Sequence, residues 1–234
     1  HHVERLYRTP NTFLVYSPIA NAPEVTPPPS TKSGCVTFGS YNNYQKVTDR
    51  TLRLWKRILD GVPGSRLVMK TMAMGDEGLQ AQVRARLDGL GIPADRVQLL
   101  GPVASYIDHL ASLASVDIAL DTFPYNGTTT TCEALLMGVP VIGRVGDRHA
   151  SRVTLSLLDA LGLDELLAAD EDDYVAKAVA LATDPGRLVR LREEIRPRLM
   201  KSRLVDMQRF VTHLETAYRS MWKDWLDSTQ DNDA

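Results

Sequence analysis

The stretch DTFPYNGTTTTCEALLMGVP, residues 121–140, decides the fold class of this chain. An apolar run ends at Asp121, a turn-forming PYNG sequence follows, and Thr128–Thr131 leads into a helix predicted for Glu133–Met137. Gly138-Val139-Pro140 then ends the helix before a second apolar run. Strand, polar loop, helix and strand in this order are typical of a parallel sheet whose loops direct main-chain N–H groups at an anion.

Strand and helix patterns alternate through the rest of the chain, which predicts an α/β fold with a Rossmann-like, doubly wound parallel sheet and C-terminal helices. The predicted strands are Val36–Phe38, Arg66–Lys70, Val97–Leu100, Ile118–Asp121, Val139–Ile142 and a possible edge strand, Leu166–Ala169. The predicted helices are Asp49–Leu59, Glu77–Leu90, Ile107–Ala114, Ser151–Leu161, Asp172–Thr183, Gly186–Met200 and Asp206–Leu226.

The N-terminal residues differ in character from this repeating part. Prolines exclude a helix from Pro18–Lys32, and a short strand is possible at Phe13–Tyr16. We therefore expect an extended segment or linker, and the first residue, His1, suggests a piece of a longer protein. The predicted division is 1–33 linker, 34–205 Rossmann-like lobe, 206–228 C-terminal helix and 229–234 tail.

Composition restricts the classes of function. The net charge of -2 over 234 residues argues against nucleic-acid binding and against an electrostatic membrane surface. No apolar run approaches the roughly 20 residues of a membrane helix. The two cysteines, Cys35 and Cys132, lie in apolar contexts that predict reduced, buried thiols, which is compatible with a cytoplasmic protein.

Three loops should carry the chemistry, because ligands of such sheets bind at the carboxyl ends of the strands. They are Gly39–Lys46, Gly101–His109 and Phe123–Glu133. In the first loop, Asn42 and Asn43 can hydrogen-bond a sugar or a phosphate. Lys46 lies just before a helix start, where its ammonium and the helix dipole together favour an anion such as a diphosphate. The alternative is an ordinary solvated lysine.

The other two loops offer a histidine, a threonine row and a carboxylate. His109 could stack on a flat ring or donate to one, although a lone helical histidine is more often structural, and Ser105 could be a plain helix cap. Hydroxyls and N–H groups of Thr128–Thr131 could bind phosphate oxygens. Glu133 fits two roles equally well: it could accept ribose hydroxyls, or it could form a capping box with Thr130.

Other signatures are missing from the sequence. The threonine loop is neither a GxGxxG fingerprint nor a P-loop. There is no HExxH, no GxSxG and no zinc-type Cys/His spacing, so no metal site is predicted. Asp170–Asp173 reads DEDD and more often marks a helix start than a metal site.

The three loops, in this order, resemble the C-terminal catalytic lobe of the O-GlcNAc transferase and SPINDLY family of glycosyltransferases. The matching stretches are FGSYNNYQK (38–46), GPVASYIDH (101–109), LDTFPYNGTTTTCEALLMGVPV (120–141) and HASRVTLSLL (149–158). The resemblance implies a GT-B fold of two Rossmann-like lobes with the active site between them. It also implies a missing N-terminal lobe and a preceding tetratricopeptide region.

The resemblance assigns roles residue by residue. Lys46 matches the lysine at the donor diphosphate, which makes it the expected catalytic residue. His109 matches the histidine beside the base, Thr129 and Thr130 match the hydroxyls at the diphosphate, and Glu133 matches the acidic residue at the ribose. Asn43 and Thr128 complete the expected donor site.

The donor itself is not decided by the resemblance. Thr128 stands where O-GlcNAc transferases often have His, and the run from Phe123 to Glu133, with His149, is closer to the SPINDLY branch. The donor is therefore UDP-GlcNAc or GDP-fucose. The implied reaction is inverting, metal-independent transfer to Ser or Thr hydroxyls of a protein acceptor, with no cofactor.

Two other functions remain open at this point. One is a degenerate nucleotide-binding or interaction module that kept the fold and lost transfer. The other is a GT-B nucleotide-sugar epimerase, which would need acid/base residues that the sequence does not reveal.

Overall fold

The computed structural model describes residues 5–10 and 12–230, and this part of the chain is built around a sheet of six parallel strands. The strands are β1 (Thr37–Ser40), β2 (Arg66–Lys70), β3 (Val97–Leu100), β4 (Ile118–Leu120), β5 (Val141–Arg144) and β6 (Leu167–Ala168). Their order is β3-β2-β1-β4-β5-β6, the strand order of a Rossmann fold. The predicted fold class is confirmed, and so is the short edge strand.

The point where the strand order reverses lies between β1 and β4. These strands pair through Phe38 with Ile118 and through Gly39 with Ala119. A side chain at Gly39 would clash, because its Cβ would lie 2.6 Å from Cγ2 of Val116. Ligands of open α/β sheets bind outside the carboxyl ends of the strands at such a reversal, so the loops after β1 and β4 become neighbours at the expected place.

Helices cover the sheet. They are α1 (Ser30–Ser33), α2 (Asp49–Gly61), α3 (Glu77–Gly89), α4 (Tyr106–Ser112), α5 (Thr129–Leu136), α6 (Val153–Asp159), α7 (Glu171–Ala182), α8 (Pro185–Lys201) and α9 (Met207–Gln230). In α2, Thr48 accepts a hydrogen bond from the N–H of Thr51 as an N-cap, and Leu52, Trp55 and Ile58 are fully buried, as their helical spacing predicts.

Several predicted elements have different limits in the structure. Helix α5 begins at Thr129, so Thr129–Thr131 form its first turn and are not part of a loop. Strand β5 begins only at Val141, because Gly138 takes a left-handed conformation (φ 71°) that ends α5 first. The predicted helix Ser151–Leu161 is a 3₁₀ turn, His149–Ser151, followed by α6.

The N-terminal segment is mostly extended, but two of its details were predicted wrongly. The residues from Phe13 to Tyr16 form no strand, and the Tyr16 N–H donates to the Leu204 carbonyl at 2.7 Å. The one-turn helix α1 lies partly inside the segment that was predicted to be extended, directly after Pro29. Proline is compatible with the start of a helix, where its missing N–H costs no hydrogen bond.

Two arginines of α8 hold this segment against the lobe. Arg192 Nε donates to the Thr26 carbonyl at 2.8 Å, and Arg196 donates to the Pro23 carbonyl at 2.6 Å. Arg192 is 1% exposed, and burial lowers its pKa to about 10. The part of the predicted linker around Pro23 and Thr26 is therefore bound to the lobe, while the predicted domain limits remain a prediction.

The cysteines and the helix lengths complete the description. Both cysteines are free thiols; Cys132 is buried, whereas Cys35 is partly exposed, so the prediction of two buried thiols is wrong for Cys35. Among the helices of the described residues, none combines the length and the apolar character needed to cross a membrane.

Candidate functional site

A cleft of about 540 Å³ opens at the carboxyl edge of the sheet. The end of β2, the loops after β1 and β3, and the starts of α4 and α5 line it. Of the seven predicted site residues, five line this cleft: Asn43, His109, Thr129, Thr130 and Glu133. The structure thus brings together residues from all three predicted loops, while Lys46 and Thr128 lie outside the cleft lining.

The first turn of α5 lines this cleft. Thr128 is the N-cap residue, and its side chain makes no capping hydrogen bond. Thr129 is exposed, and the hydroxyl of Thr130 donates to Asn42 Oδ1 at 2.9 Å. The first N–H groups of an α-helix have no partner within the helix, so the start of α5 can bind an anion by donating hydrogen bonds to it.

The capping-box interpretation of Glu133 is wrong. The hydroxyl of Thr130 is bonded to Asn42, the cap position belongs to Thr128, and the Glu133 carboxylate is bonded to His109. Ser105, in contrast, caps α4 as predicted, because its side chain accepts from the N–H of Asp108.

A buried carboxylate, Asp121, shapes the loop between β4 and α5. Its Oδ1 accepts from the Asn42 amide at 3.1 Å, from the Thr122 N–H at 2.8 Å and from the Gly127 N–H at 2.7 Å, and its Oδ2 accepts from the Thr154 hydroxyl. Burial raises the pKa of Asp121 to about 6, against the effect of these donors. Asp121 therefore ties the loops after β1 and β4 to each other.

Gly127 allows this loop to close tightly. A Cβ there would lie 2.6 Å from the Thr131 hydroxyl oxygen and 2.8 Å from both Asn42 Oδ1 and the Thr130 hydroxyl oxygen. These distances are shorter than real Cβ contacts, so only glycine leaves the polar atoms in place.

Lys46 lies beside the turn that precedes α5. Its ammonium donates to the Asn126 carbonyl at 2.9 Å and lies 3.9 Å from the centre of the Tyr125 ring. Burial lowers the pKa of Lys46, and the negative charge of Asp121 opposes this effect. Lys46 is therefore held by a neutral carbonyl and an aromatic face, next to the helix start.

A second lysine, which is buried, begins a polar chain across the cleft. Lys70, at the end of β2, is 4% exposed, and its Nζ lies 3.0 Å from His109 Nδ1. The other ring nitrogen, Nε2, lies 3.1 Å from Glu133 Oε2. Burial lowers the pKa of Lys70, and Glu133 opposes this effect. The three side chains come from β2, α4 and α5, which meet only in the folded chain.

Two tyrosines enclose the His109 ring. Tyr106 lies nearly parallel to it, with 6.1 Å between the ring centroids and 11° between the planes, and Tyr41 meets it edge-on at 5.7 Å. Tyr106 is 43% exposed and lines the cleft. The aromatic surface open to a flat ligand is therefore Tyr106 together with His109, and not His109 alone.

Sequence reasoning missed Lys70, Asp121 and Tyr106 as site residues. A signal existed for the first two, because each is a charged residue that directly follows an apolar stretch at the carboxyl end of a strand, where ligands bind. Tyr106 lies inside the quoted second loop, but nothing in the sequence indicates that its ring lies along His109.

The structure also shows what the DEDD run and His149 contact. In the DEDD run, Asp170 caps α7 by accepting from the Asp173 N–H. Within the described residues, no group of three or more His, Cys, Asp or Glu side chains is arranged to hold a metal ion. His149 packs edge-on against Phe13 of the N-terminal segment, with ring centroids 4.8 Å apart.

Comparison with known proteins gives consistent results. Residues 30–214 match the model of glycosyl transferase family 41. The chain is 44% identical over 226 residues to a probable UDP-N-acetylglucosamine–peptide N-acetylglucosaminyltransferase SPINDLY of Solanum lycopersicum, covering 97% of this chain and 24% of the relative. It is 31% identical over 189 residues to a UDP-N-acetylglucosamine–peptide N-acetylglucosaminyltransferase of Caenorhabditis elegans, covering 80% of this chain and 16% of the relative.

The fold has a similar solved counterpart. A mutant of the Thermobaculum terrenum O-GlcNAc transferase superposes with a TM-score of 0.88 at 36% identity, covering 97% of this chain and 42% of that one. The chain spans about a quarter of the length of the SPINDLY relatives it matches.

Proposed function

Because the chain belongs to glycosyl transferase family 41, we propose that it is the donor-binding lobe of a protein O-glycosyltransferase. The observation that carries the proposal is the arrangement around the start of α5: Lys46 donates to the turn that precedes its open N-terminus, and one turn further along Glu133 is bonded to His109. A nucleoside diphosphate has complementary chemistry, with an anion at one end and sugar hydroxyls beside a flat base at the other.

This complementarity divides the site into two sides. The phosphate side consists of Lys46, Thr128, Thr129 and Thr130. The nucleoside side consists of Lys70, Tyr106, His109 and Glu133. In the proposed complex the diphosphate contacts the phosphate side, the ribose hydroxyls donate to Glu133, and the base lies along Tyr106 and His109.

The proposed reaction is inverting transfer to a Ser or Thr hydroxyl. The acceptor oxygen forms a bond to the anomeric carbon as the bond from that carbon to the diphosphate oxygen breaks. The electron pair of the broken bond stays on the diphosphate. The Lys46 ammonium and the N–H groups at the start of α5 stabilise this charge where it develops. On this proposal no metal ion is needed for that role.

The sugar is proposed from two candidates, N-acetylglucosamine from UDP-GlcNAc and fucose from GDP-fucose. The relatives named above include proteins described as UDP-N-acetylglucosamine–peptide transferases, which supports the first. Thr128 in place of histidine and the SPINDLY-like run that follows Phe123 motivate the second. The acceptor protein, the N-terminal lobe, a tetratricopeptide region and a cytoplasmic location also remain predictions.

Calorimetric titration of the chain with UDP and with GDP, first without metal and then with Mg²⁺, tests the proposal. We expect one nucleotide to bind without metal, and its identity selects the donor. Lys56→Met is a matched control, because Lys56 pairs with Asp60 on the surface of α2 and should bind like the unmodified chain. No binding of either nucleotide by the chain, and none by the full-length protein, would contradict the proposal and favour a module without donor binding.

A further inference from the structure

The polar chain Lys70–His109–Glu133 has a direction that follows from the chemistry of its members. An ammonium group has donors and no acceptor, so His109 Nδ1 must accept in its 3.0 Å contact with Lys70. The proton of a neutral imidazole then lies on Nε2, which donates to Glu133 Oε2 across 3.1 Å. Each hydrogen bond sets the direction of the next.

Packing leaves the ring little freedom to adopt another arrangement. Tyr106 lies along one face of His109 and Tyr41 meets it edge-on. The charged groups within contact of the ring are Lys70 and Glu133, and Asp108 on the same helix is bonded to Ser105. The His109 side chain is 23% exposed and that of Glu133 is 7% exposed, so water competes weakly for these hydrogen bonds.

Lys70 has no other evident reason to be buried. Among the described residues it forms no ion pair with a carboxylate; its Nζ is hydrogen-bonded to His109 and lies 5.7 Å from the centre of the Tyr41 ring. Removing a lysine ammonium from water is unfavourable unless it is compensated. A charged group kept at 4% exposure at the edge of a ligand-sized cleft indicates a role in that cleft.

We propose that Lys70 is a positioning residue of the nucleoside side. It fixes His109 as the neutral Nε2–H tautomer, and His109 in turn holds one oxygen of Glu133, so that the other oxygen is presented to the vicinal hydroxyls of a ribose. This inference rests on the proposed function for the identity of the ligand, but not for the state of the ring.

The role differs from that of Lys46. Lys46 belongs to the phosphate side, and its ammonium contacts the Asn126 carbonyl and the Tyr125 ring instead of a member of this polar chain. Loss of Lys70 should therefore weaken recognition of the nucleoside and leave recognition of the diphosphate unchanged.

The state of the ring can be measured without any ligand. In ¹⁵N-labelled chain, long-range ¹H–¹⁵N correlation spectra identify the protonated ring nitrogen of His109, which His109→Gln assigns by removing its signals. We expect Nδ1 to be the unprotonated nitrogen. In Lys70→Met nothing holds Nδ1 as an acceptor, while the Glu133 carboxylate still accepts from Nε2, so a ring protonated at both nitrogens should appear. Lys70→Arg, which keeps a cationic donor, should restore the unprotonated Nδ1. A protonated Nδ1 in the unmodified chain, or an unchanged spectrum in a folded Lys70→Met, would overturn the inference.

The consequence for binding is measured by calorimetry with UDP, GDP and inorganic pyrophosphate. We expect Lys70→Met to bind the preferred nucleotide about tenfold more weakly, or about 1.4 kcal/mol, and to bind pyrophosphate as before. Lys56→Met controls for loss of a lysine. Equal weakening of nucleotide and pyrophosphate would contradict the positioning role. If the unmodified chain and the full-length protein bound no nucleotide, the proposed function would fail, while the ring spectra would still decide whether Lys70 fixes His109.

Discussion

The phosphate side and the nucleoside side of the cleft each contain a lysine, but the two lysines differ in burial and in their partners. Lys46 is partly buried, and Lys70 is buried. Lys70 is part of a chain in which each polar contact constrains the next, through His109 to Glu133. Lys46 donates to one main-chain carbonyl, that of Asn126, and faces the Tyr125 ring. The members of the nucleoside side are thus hydrogen-bonded to one another, whereas on the phosphate side the lysine is bonded to a neutral carbonyl and the cap residue of α5 makes no capping hydrogen bond.

This difference indicates how the two sides divide the work of binding. A diphosphate can replace a weak neutral contact of Lys46 with a charge-assisted one, so the phosphate side should supply most of the affinity. A nucleoside must fit hydrogen bonds that are already made, so the nucleoside side should supply selectivity with a smaller gain in affinity. Variants on the two sides should therefore differ in which ligands they affect.

The largest effect is expected for Lys46→Met. Loss of a charged hydrogen bond should weaken binding by about 1.5–3 kcal/mol, which is roughly ten- to 150-fold. The loss should be equal for UDP, GDP and pyrophosphate, because all three carry the diphosphate. Calorimetry with the three ligands measures it, with Lys56→Met as the control and thermal unfolding as the check on folding. A loss restricted to the nucleotides would mean that the two sides are not separate.

Asp121→Asn tests the buried support of the phosphate side. The variant keeps one oxygen for Asn42, Thr122 and Gly127 but places an NH2 group where Oδ2 accepts from the Thr154 hydroxyl, so that buried hydrogen bond is lost. We expect the free energy of unfolding at pH 7 to fall by about 1–2 kcal/mol. The ring spectrum of His109 should not change, since Asp121 contacts no member of the nucleoside side in the bonds described above.

The same variant has a predicted pH dependence. The pKa of Asp121 is raised from 3.8 to about 6 in the folded chain, so the folded state binds this proton more tightly than the unfolded state. Its contribution to stability is greatest below pH 3.8 and is lost as the pH rises through 6. Urea unfolding should show the gap between the unmodified chain and Asp121→Asn to be about 1 kcal/mol wider at pH 5 than at pH 7. The exposed Asp60→Asn should show no such change, and a gap that widens towards pH 7 would contradict the raised pKa.

Much of the fold could be predicted from the sequence, because hydrophobic periodicity and the residues that end helices and form turns act locally. The helical spacing of Leu52, Trp55 and Ile58 predicted the buried face of α2, and the stretch RLVMK, with its apolar centre, predicted β2 with its observed limits. The rule that ligands bind at carboxyl strand ends then selected the loops that do meet at the cleft.

The contacts inside the site were not accessible in this way. Lys70 and His109 are 39 residues apart, and His109 and Glu133 are 24 apart, so only the packing of β2, α4 and α5 brings them together. The capping box was a reasonable local alternative for Glu133. In the folded chain, however, Glu133 is hydrogen-bonded to His109 and Thr130 to Asn42, so the two residues do not form it. The placement of the extended N-terminal segment likewise depends on α8, whose arginines donate hydrogen bonds to its carbonyls.

The smallest expected effect is that of Glu133→Gln, and it is the sharpest test of the two sides. Gln keeps the shape and an acceptor for His109 but loses the charge, so hydrogen bonds from ribose hydroxyls should weaken by about 1 kcal/mol. Calorimetry should show UDP or GDP binding about fivefold more weakly and pyrophosphate unchanged. Glu193→Gln, at an exposed position of α8, is the matched control.

Combining variants separates the sides by additivity. Glu133→Gln and Lys70→Met act through the same ring, so their double variant should lose less nucleotide affinity than the sum of the single losses. Glu133→Gln and Lys46→Met share no partner in the structure, so their losses should add within about 0.5 kcal/mol. Additivity in the first pair would contradict the chain through His109. Strong coupling in the second would mean that diphosphate and ribose are recognised as one unit, which the separate hydrogen-bond partners of Lys46 and Glu133 argue against.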